Sequence, residues 1–235
     1  MIITIHQPEH LVWLGLIDKI SKADYFVILD NVQFSKNYFH NRNKIRTSEG
    51  WSWMTVPVQR HPLNTNIIDI EILDNQWEKS YLRKLSQAYS STEFFDAYYP
   101  AIETEVMSRT WSLCELNIRL LNLFLEWFSI QPHISRASQL DLSDKFTGSE
   151  RILKICKSVG ATRYLSGVGG RNYLDIESFL AEGITVDFHS FDHPIYDQRY
   201  VPFIPGMSSL DILMNQGGER ALEMLCLRGK SESEI

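Results

Sequence analysis

The first thirty residues constrain the fold more than any other stretch of this chain. Ile2 to Ile5 is a short β-branched run, Leu11 to Ile20 places apolar residues at helical spacing, and Tyr25 to Leu29 is a second apolar run that stops at Asp30. Two apolar strands joined by one helix form a right-handed parallel crossover, since a right-twisted strand feeding a right-handed helix packs back onto its sheet in that sense. The polar residues closing the two strands, His6 and Asp30, are then expected at one edge of the sheet, where open parallel sheets bind their ligands.

The chain is long and apolar enough to complete such a sheet. Its 235 residues are 44% hydrophobic, 12% aromatic and 22% charged, a globular composition that excludes disorder as the main state and fits a single domain over 1–235. No apolar stretch approaches the roughly 20 residues of a membrane helix. The opening MIITIHQPEH has no basic segment followed by an apolar run, so a cytoplasmic protein without a membrane span is expected. Against 29 Asp and Glu stand 23 Lys and Arg, a net charge of −6 that disfavours nucleic acid as a partner. Cys114, Cys156 and Cys226 are odd in number, widely spaced and set in apolar stretches, and read as packing residues.

Past Asp30, positions 36 to 46 (KNYFHNRNKIR) gather five basic side chains with Tyr38 and Phe39 among them. Trp51 to Val58 reads as a strand closed by Pro57, and Ile67 to Ile72 as a half-buried strand, together adding a hairpin to the sheet. Residues 75 to 128 follow helical spacing, clearest from Leu113 through Leu120 and Phe124 to Phe128, so a helical insertion is expected at about 75–130, broken at Pro100. A second α/β section starts at Thr147, which with Glu150 makes a capping box ahead of Ile152, Leu153, Cys156 and Val159. Arg163 to Leu165 is a strand, Asp175 caps a helix through Leu180, and Thr185 to Phe188 is another strand. Ser208 and Asp211 give a further capping-box signal before helical spacing through Leu213, Leu222 and Leu225 and a polar tail from Lys230 to Ile235. The expected fold class is α/β: a central, mainly parallel sheet in a Rossmann-like or nucleotidyltransferase-like layout, with a helical insertion.

Four constellations bear on chemistry. Ser166-Gly167-Val168-Gly169-Gly170-Arg171 joins a strand to a helix, and such a turn offers backbone N–H groups to an anion; the simpler reading is a turn with positive φ at one or more glycines. Arg171 and Tyr173 tilt it toward binding. His6-Gln7-Pro8-Glu9-His10 sets two imidazoles just past the first strand, suited to a general base, a carbonyl contact or a hydrogen-bonded structural role; Pro8 makes it a loop, and no HExxH pattern exists. Asp187, His189, Asp192, His193 and Asp197 lie within eleven residues, yet alternation places Asp187 and His189 alone on one strand face, so a solvated polar edge is a better reading than a metal site. Lys36, Arg42, Lys44 and Arg46 form the one strong cationic cluster, fit for a phosphate, diphosphate or carboxylate. Following Asp30-Asn31-Val32-Gln33, it should overhang the same crevice as His6.

These segments resemble one family. IHQP at 5 to 8, WLG at 13 to 15, DKI at 18 to 20, AD at 23 and 24, DNVQFSK at 30 to 36 and NRNKI at 41 to 45 are similar to the WbqC-like family. Later, TGSERI, YLSG, Gly170 with Tyr173-Leu174, Tyr196 with Gln198, and Ser208-Ser209-Leu210-Asp211 continue the resemblance in order through nearly the whole chain. The family pattern has tyrosine where this chain has His10 and proline where it has Val12, so the resemblance carries over to His6 and not to His10. More distantly, the strand, QPEHLVW, helix, strand layout is similar to the HIGH-type nucleotidyltransferase fold, with Trp13 in the place of its last histidine and Leu-Val where glycine is expected.

The WbqC-like resemblance implies a transferase of surface-polysaccharide (O-antigen) biosynthesis, moving an acyl or aminoacyl group to a nucleotide-linked amino sugar. Its alternatives are a glycosyltransferase using a nucleotide sugar and a non-catalytic binding protein of the same pathway. His6 is the expected catalytic residue, as base for an amine acceptor. Gln7, Gln33, Asn43, Gln198 and Asp211 are expected to contact substrate, with Lys36 and Arg42 on its diphosphate. Ser166, Gly167, Gly170, Arg171 and Tyr173 contribute from the glycine-rich loop. No metal and no resident cofactor is required; the group would arrive on coenzyme A, on an acyl carrier protein or as an activated amino acid.

Overall fold

In the computed structural model, which describes residues 1–142 and 146–226, the chain runs β1 (Ile2–His6), α1 (Leu14–Ser21), β2 (Tyr25–Ile28), β3 (Arg42–Thr47), β4 (Gly50–Thr55), α2 (Trp77–Tyr89), α3 (Phe95–Met107) and α4 (Leu113–Trp127). It continues through β5 (His133–Arg136), α5 (Gly148–Ser158), β6 (Arg163–Ser166), α6 (Ile176–Ala181), β7 (Thr185–Phe188), α7 (Ser209–Gln216) and α8 (Gly218–Cys226). The side chain of Cys226 and the tail from Lys230 lie outside the described residues. Two compact units emerge, one of Met1–Gln7, Asp18–Asn31 and Gln131–Phe191, the other of Pro8–Ile17, Val32–Ile130 and Asp192–Ile235.

The first unit is the α/β part. Its five strands lie in the order β5-β2-β1-β6-β7, and each pairing is parallel. Ile3 and Ile5 of β1, two residues apart and so on one face, pack with Ile152, Ile155 and Cys156 of α5 and Phe179 of α6 in one apolar core. Helix α5 forms where Thr147 and Glu150 signal it, but the Thr147 side chain makes no capping hydrogen bond, whereas Asp175 accepts from the Ser178 N–H at 3.3 Å and caps α6. Asp30, fully buried past β2, accepts from Arg136 Nε at 2.8 Å and from Ser138 N and Oγ at 2.9 and 2.6 Å. Those bonds commit its carboxylate to tying β2 to the segment after β5.

The second unit holds the helices expected between 75 and 130, together with a separate antiparallel hairpin. Strand β4 pairs with β3 from Arg42↔Thr55 to Thr47↔Gly50 and does not join the parallel sheet, contrary to the sequence expectation. Ile67 to Ile72 is not a strand: Ile67–Asp69 is a 3-10 turn, and Ile72 makes a single bridge to Val58. Burying Ile67, Ile70 and Ile72 takes one turn and a short extended step, so the alternation there was local. The true partner strand was hidden because its apolar face holds Asn43 beside Ile45 and its other face is cationic. Pro100 lies inside α3, and the break falls instead at Ser90 to Phe94. The proline removes one bond, to the Asp96 carbonyl, and both residues are exposed, so water replaces the lost donor.

Candidate active site at the carboxyl edge of the parallel sheet

The strand order reverses between β1 and β6: the chain builds outward through β2 and β5 on one side, then returns to place β6 and β7 on the other. In open α/β sheets this reversal opens a crevice at the carboxyl ends of the two strands, because the following connections leave in opposite directions. β1 ends at His6 and β6 at Ser166. Ile2↔Arg163 to Thr4↔Leu165 sets one register, and Arg163↔Thr185 to Ser166↔Phe188 the next. Continuing both registers, His6, Gly167 and His189 occupy one row, and the backbone bond from His189 N to Ser166 O at 2.8 Å carries the ladder that far.

Helix α1 brings two consecutive residues to this row. Lys19, 4% exposed, extends Nζ to the Ile5 carbonyl at 3.3 Å and to His6 Nδ1 at 3.4 Å. With Nδ1 accepting from the Lys19 ammonium, a neutral His6 ring would carry its hydrogen on Nε2. Asp18 Oδ2 accepts from His189 Nε2 at 2.6 Å and from Lys22 Nζ at 2.8 Å. Burial works against an ionised Asp18, yet the hydrogen bonds from His189 and Lys22 outweigh it and hold its carboxyl below the ordinary value. Sequence reading passed over this group. In the sequence Asp18 and Lys19 stand in the DKI segment without a role, and the pattern around His189 predicts a solvated edge. Instead His189 is buried against Asp18, while Asp187 pairs with Arg163 at 3.3 Å. The strand alternation of Asp187 and His189 was the available signal; the helix that covers their row was not legible.

The glycine-rich loop departs from the same edge. Residues 168–172 form a 3-10 turn, and neither Gly167, Gly169 nor Gly170 has positive φ, contrary to the turn expected. What Gly170 supplies is room: a Cβ there would stand 2.1 Å from Ser166 Oγ and 2.9 Å from Leu174 Cδ1. Arg171 is exposed with its guanidinium 4.2 Å over the Phe188 ring, and Tyr173 is also exposed. Thus His6, Ser166 and Gly167 are brought together by adjacent strands, with Gln7 next along the chain and Gly170 packed on Ser166.

The remaining sequence candidates belong to the second unit. Gln33 donates to the Leu63 carbonyl at 2.8 Å, and Lys36 is exposed. Arg42 donates to the Asn37 carbonyl and stacks 4.1 Å over Trp53, while Lys44 lies 4.7 Å over Trp51. Arg46, buried, is spent on the carbonyls of Thr47, Gly50 and Pro202. Asn43 is fully buried, donating to the His10 and Leu11 carbonyls and accepting from Lys44 N. Asp211 accepts from Tyr89 Oη at 2.8 Å and from Tyr196 Oη and Gln198 Nε2 at 2.9 Å. The Ser208 side chain caps α7 through Leu210 N, but Asp211 does not complete a capping box, because its carboxylate turns to this cluster. Burial pushes the Asp211 carboxyl up to about 6, against the hydrogen bonds of Tyr89, Tyr196 and Gln198 and the charge of Arg46. His10 likewise serves the framework: it is fully buried between Asn117 Oδ1 at 3.1 Å and Tyr81 Oη at 2.7 Å, and burial pushes its imidazole down to about 4.

Among the described residues, no group of three or more His, Cys, Asp or Glu could hold a metal ion, and no helix is long and apolar enough to cross a membrane. The chain is 33% identical over 222 residues, 92% of its own length and 94% of the other's, to an uncharacterized protein of Mycobacterium tuberculosis, Rv1507c. No solved structure matches it significantly. Residues 7–223, which include the glycine-rich loop and both partners of the Asp18–His189 pair, match the WbqC-like protein family, and to that family the chain belongs.

Proposed function

We propose that this protein is a transferase that moves an acyl or aminoacyl group onto the amine of a nucleotide-linked amino sugar, in the assembly of a surface polysaccharide such as O-antigen. The observation that carries the reading is His6, set at the strand-order reversal with buried Lys19 fixing its ring. The polysaccharide setting rests on the family resemblance. In the reaction the amine nitrogen forms a bond to the carbonyl carbon of an activated donor, a coenzyme A or carrier-protein thioester or an activated amino acid. The carbonyl electron pair moves onto oxygen, and the leaving group then departs with its own pair as the carbonyl re-forms. His6 Nε2–H is the donor to the developing oxyanion, a role that the Lys19 contact favours over that of base.

Incubating the protein with a panel of nucleotide amino sugars and activated donors, read by mass, tests the proposal. An increase equal to the acyl or aminoacyl group is expected. Release of nucleoside diphosphate would instead make it a glycosyltransferase, and binding without turnover a non-catalytic binding protein of the same pathway. Lys36 and Arg42 are proposed contacts for the diphosphate. Alanine at either should raise the dissociation constant of the nucleotide sugar by about tenfold or more in calorimetry, as the loss of a charge-assisted hydrogen bond does. Unchanged binding in both folded variants assigns that cationic stretch to the surface.

A further inference from the structure

The Asp18–His189 pair has the build of a base and has been given no chemical role. Both side chains are over nine-tenths buried, at 6% and 7% exposure. Asp18 takes the Nε2 hydrogen at 2.6 Å, which leaves Nδ1 as the ring atom with a lone pair, and Nδ1 has no hydrogen-bond partner among the described residues. Nδ1 is not sealed inside the protein, so a substrate can reach its lone pair. His189 sits one strand beyond the reversal, in the same row as His6 and therefore on the same face; two strand spacings put their backbones roughly 10 Å apart. Consecutive residues of α1 fasten both imidazoles, Asp18 to one and Lys19 to the other, so the two rings are set by one rigid turn of helix.

We propose that His189, oriented by Asp18, is the base that takes the proton from the acceptor amine, while His6 donates to the oxyanion. This assignment rests on the transfer reading above. The amine nitrogen bonds to the carbonyl carbon, and His189 Nδ1 accepts one nitrogen-bound proton. As the bond to the leaving group breaks, the imidazolium returns that proton to the departing sulfur or oxygen, so that no proton or electron is left over. Opposed tautomers explain why two histidines are present: a ring whose Nδ1 faces an ammonium is a donor at Nε2, and one whose Nε2 faces a carboxylate is an acceptor at Nδ1. His189 is the catalytic residue of the pair and Asp18 a positioning residue.

The test uses the full-length protein on the donor and acceptor pair found by the mass assay. His189→Gln, which keeps a donor toward Asp18 but has no basic nitrogen, should lower kcat by about 10²-fold or more with KM nearly unchanged. Asp18→Asn should lower kcat by a smaller factor, again without raising KM. In His189→Ala, added imidazole should restore a measurable share of turnover, which a purely structural histidine would not allow. Parent-like kcat in a folded His189→Gln protein overturns the assignment, as does loss of activity in His189→Ala that imidazole fails to relieve. A parent protein that turns over no pair in the panel defeats the transfer reading itself and removes the premise of this one.

Discussion

Replacing His6 by alanine is expected to lower turnover about 10²- to 10⁴-fold, equivalent to about 3–5 kcal/mol of transition-state stabilisation, with little change in KM. The size follows from its place: the side chain stands on the last residue of a central strand, at the reversal of strand order, and Lys19 holds the ring from a buried position. His6→Gln separates the two roles open to the ring. A glutamine amide offers a donor at nearly the reach of Nε2 but takes up no proton. If His6 donates to an oxyanion, the Gln variant should keep a substantial part of the activity that the Ala variant loses. Steady-state kinetics on both decides it: Gln as damaging as Ala returns His6 to the base role, and full activity of a folded His6→Ala protein removes it from the chemistry.

Asp211→Ala should destabilise the second unit by about 3–5 kcal/mol, because it strands the hydroxyls of Tyr89 and Tyr196 and the amide of Gln198 inside the protein without their acceptor. That is a large share of the 5–15 kcal/mol typical of a whole domain, roughly speaking. Asp211→Asn probes the charge. Burial raises the native carboxyl from 3.8 to about 6. Below 3.8 both folded and unfolded chains are protonated, and the stability associated with the neutral acid is fully present. As pH rises toward about 6, the unfolded chain releases its proton while the folded one holds it, and about 3 kcal/mol is lost before the effect levels off. Denaturation in urea at a series of pH values should therefore show that loss in the parent and its absence in the asparagine variant. An alanine variant that unfolds at the parent's midpoint would falsify the structural role of the cluster.

The reach of the sequence differs between the two units. In the first, the signals were local. A β-branched run, a helical spacing and a second apolar run specify β1, α1 and β2, because strand and helix periods separate cleanly over such lengths. The same holds for β6, α6 with its Asp175 cap, and β7. In the second unit, β3 read as a basic patch, since a strand with asparagine among its inward residues and cations outward has no apolar alternation to detect. Nor could local signals show that Asn43, His10 and Asp211 are spent inside: their partners lie between 13 and 122 residues away in the bonds of Asp211 alone.

By itself, then, the sequence determined the family, from short segments spread in order along nearly the whole chain, and the α/β class, the parallel crossover and the position of His6 at the end of β1, from residues near one another. Tertiary structure alone decided the strand order that makes that end a reversal point, and it alone joined Asp18 to His189 across 171 residues. The reason is physical. A hydrogen bond between buried groups depends on which surfaces the packing brings together, and packing is driven by apolar area, which is blind to the polar pairs it encloses. Lys19 and Asp18 look like an ordinary solvated helix edge in the sequence; they became the fasteners of two imidazoles because helix α1 is laid with that edge inward.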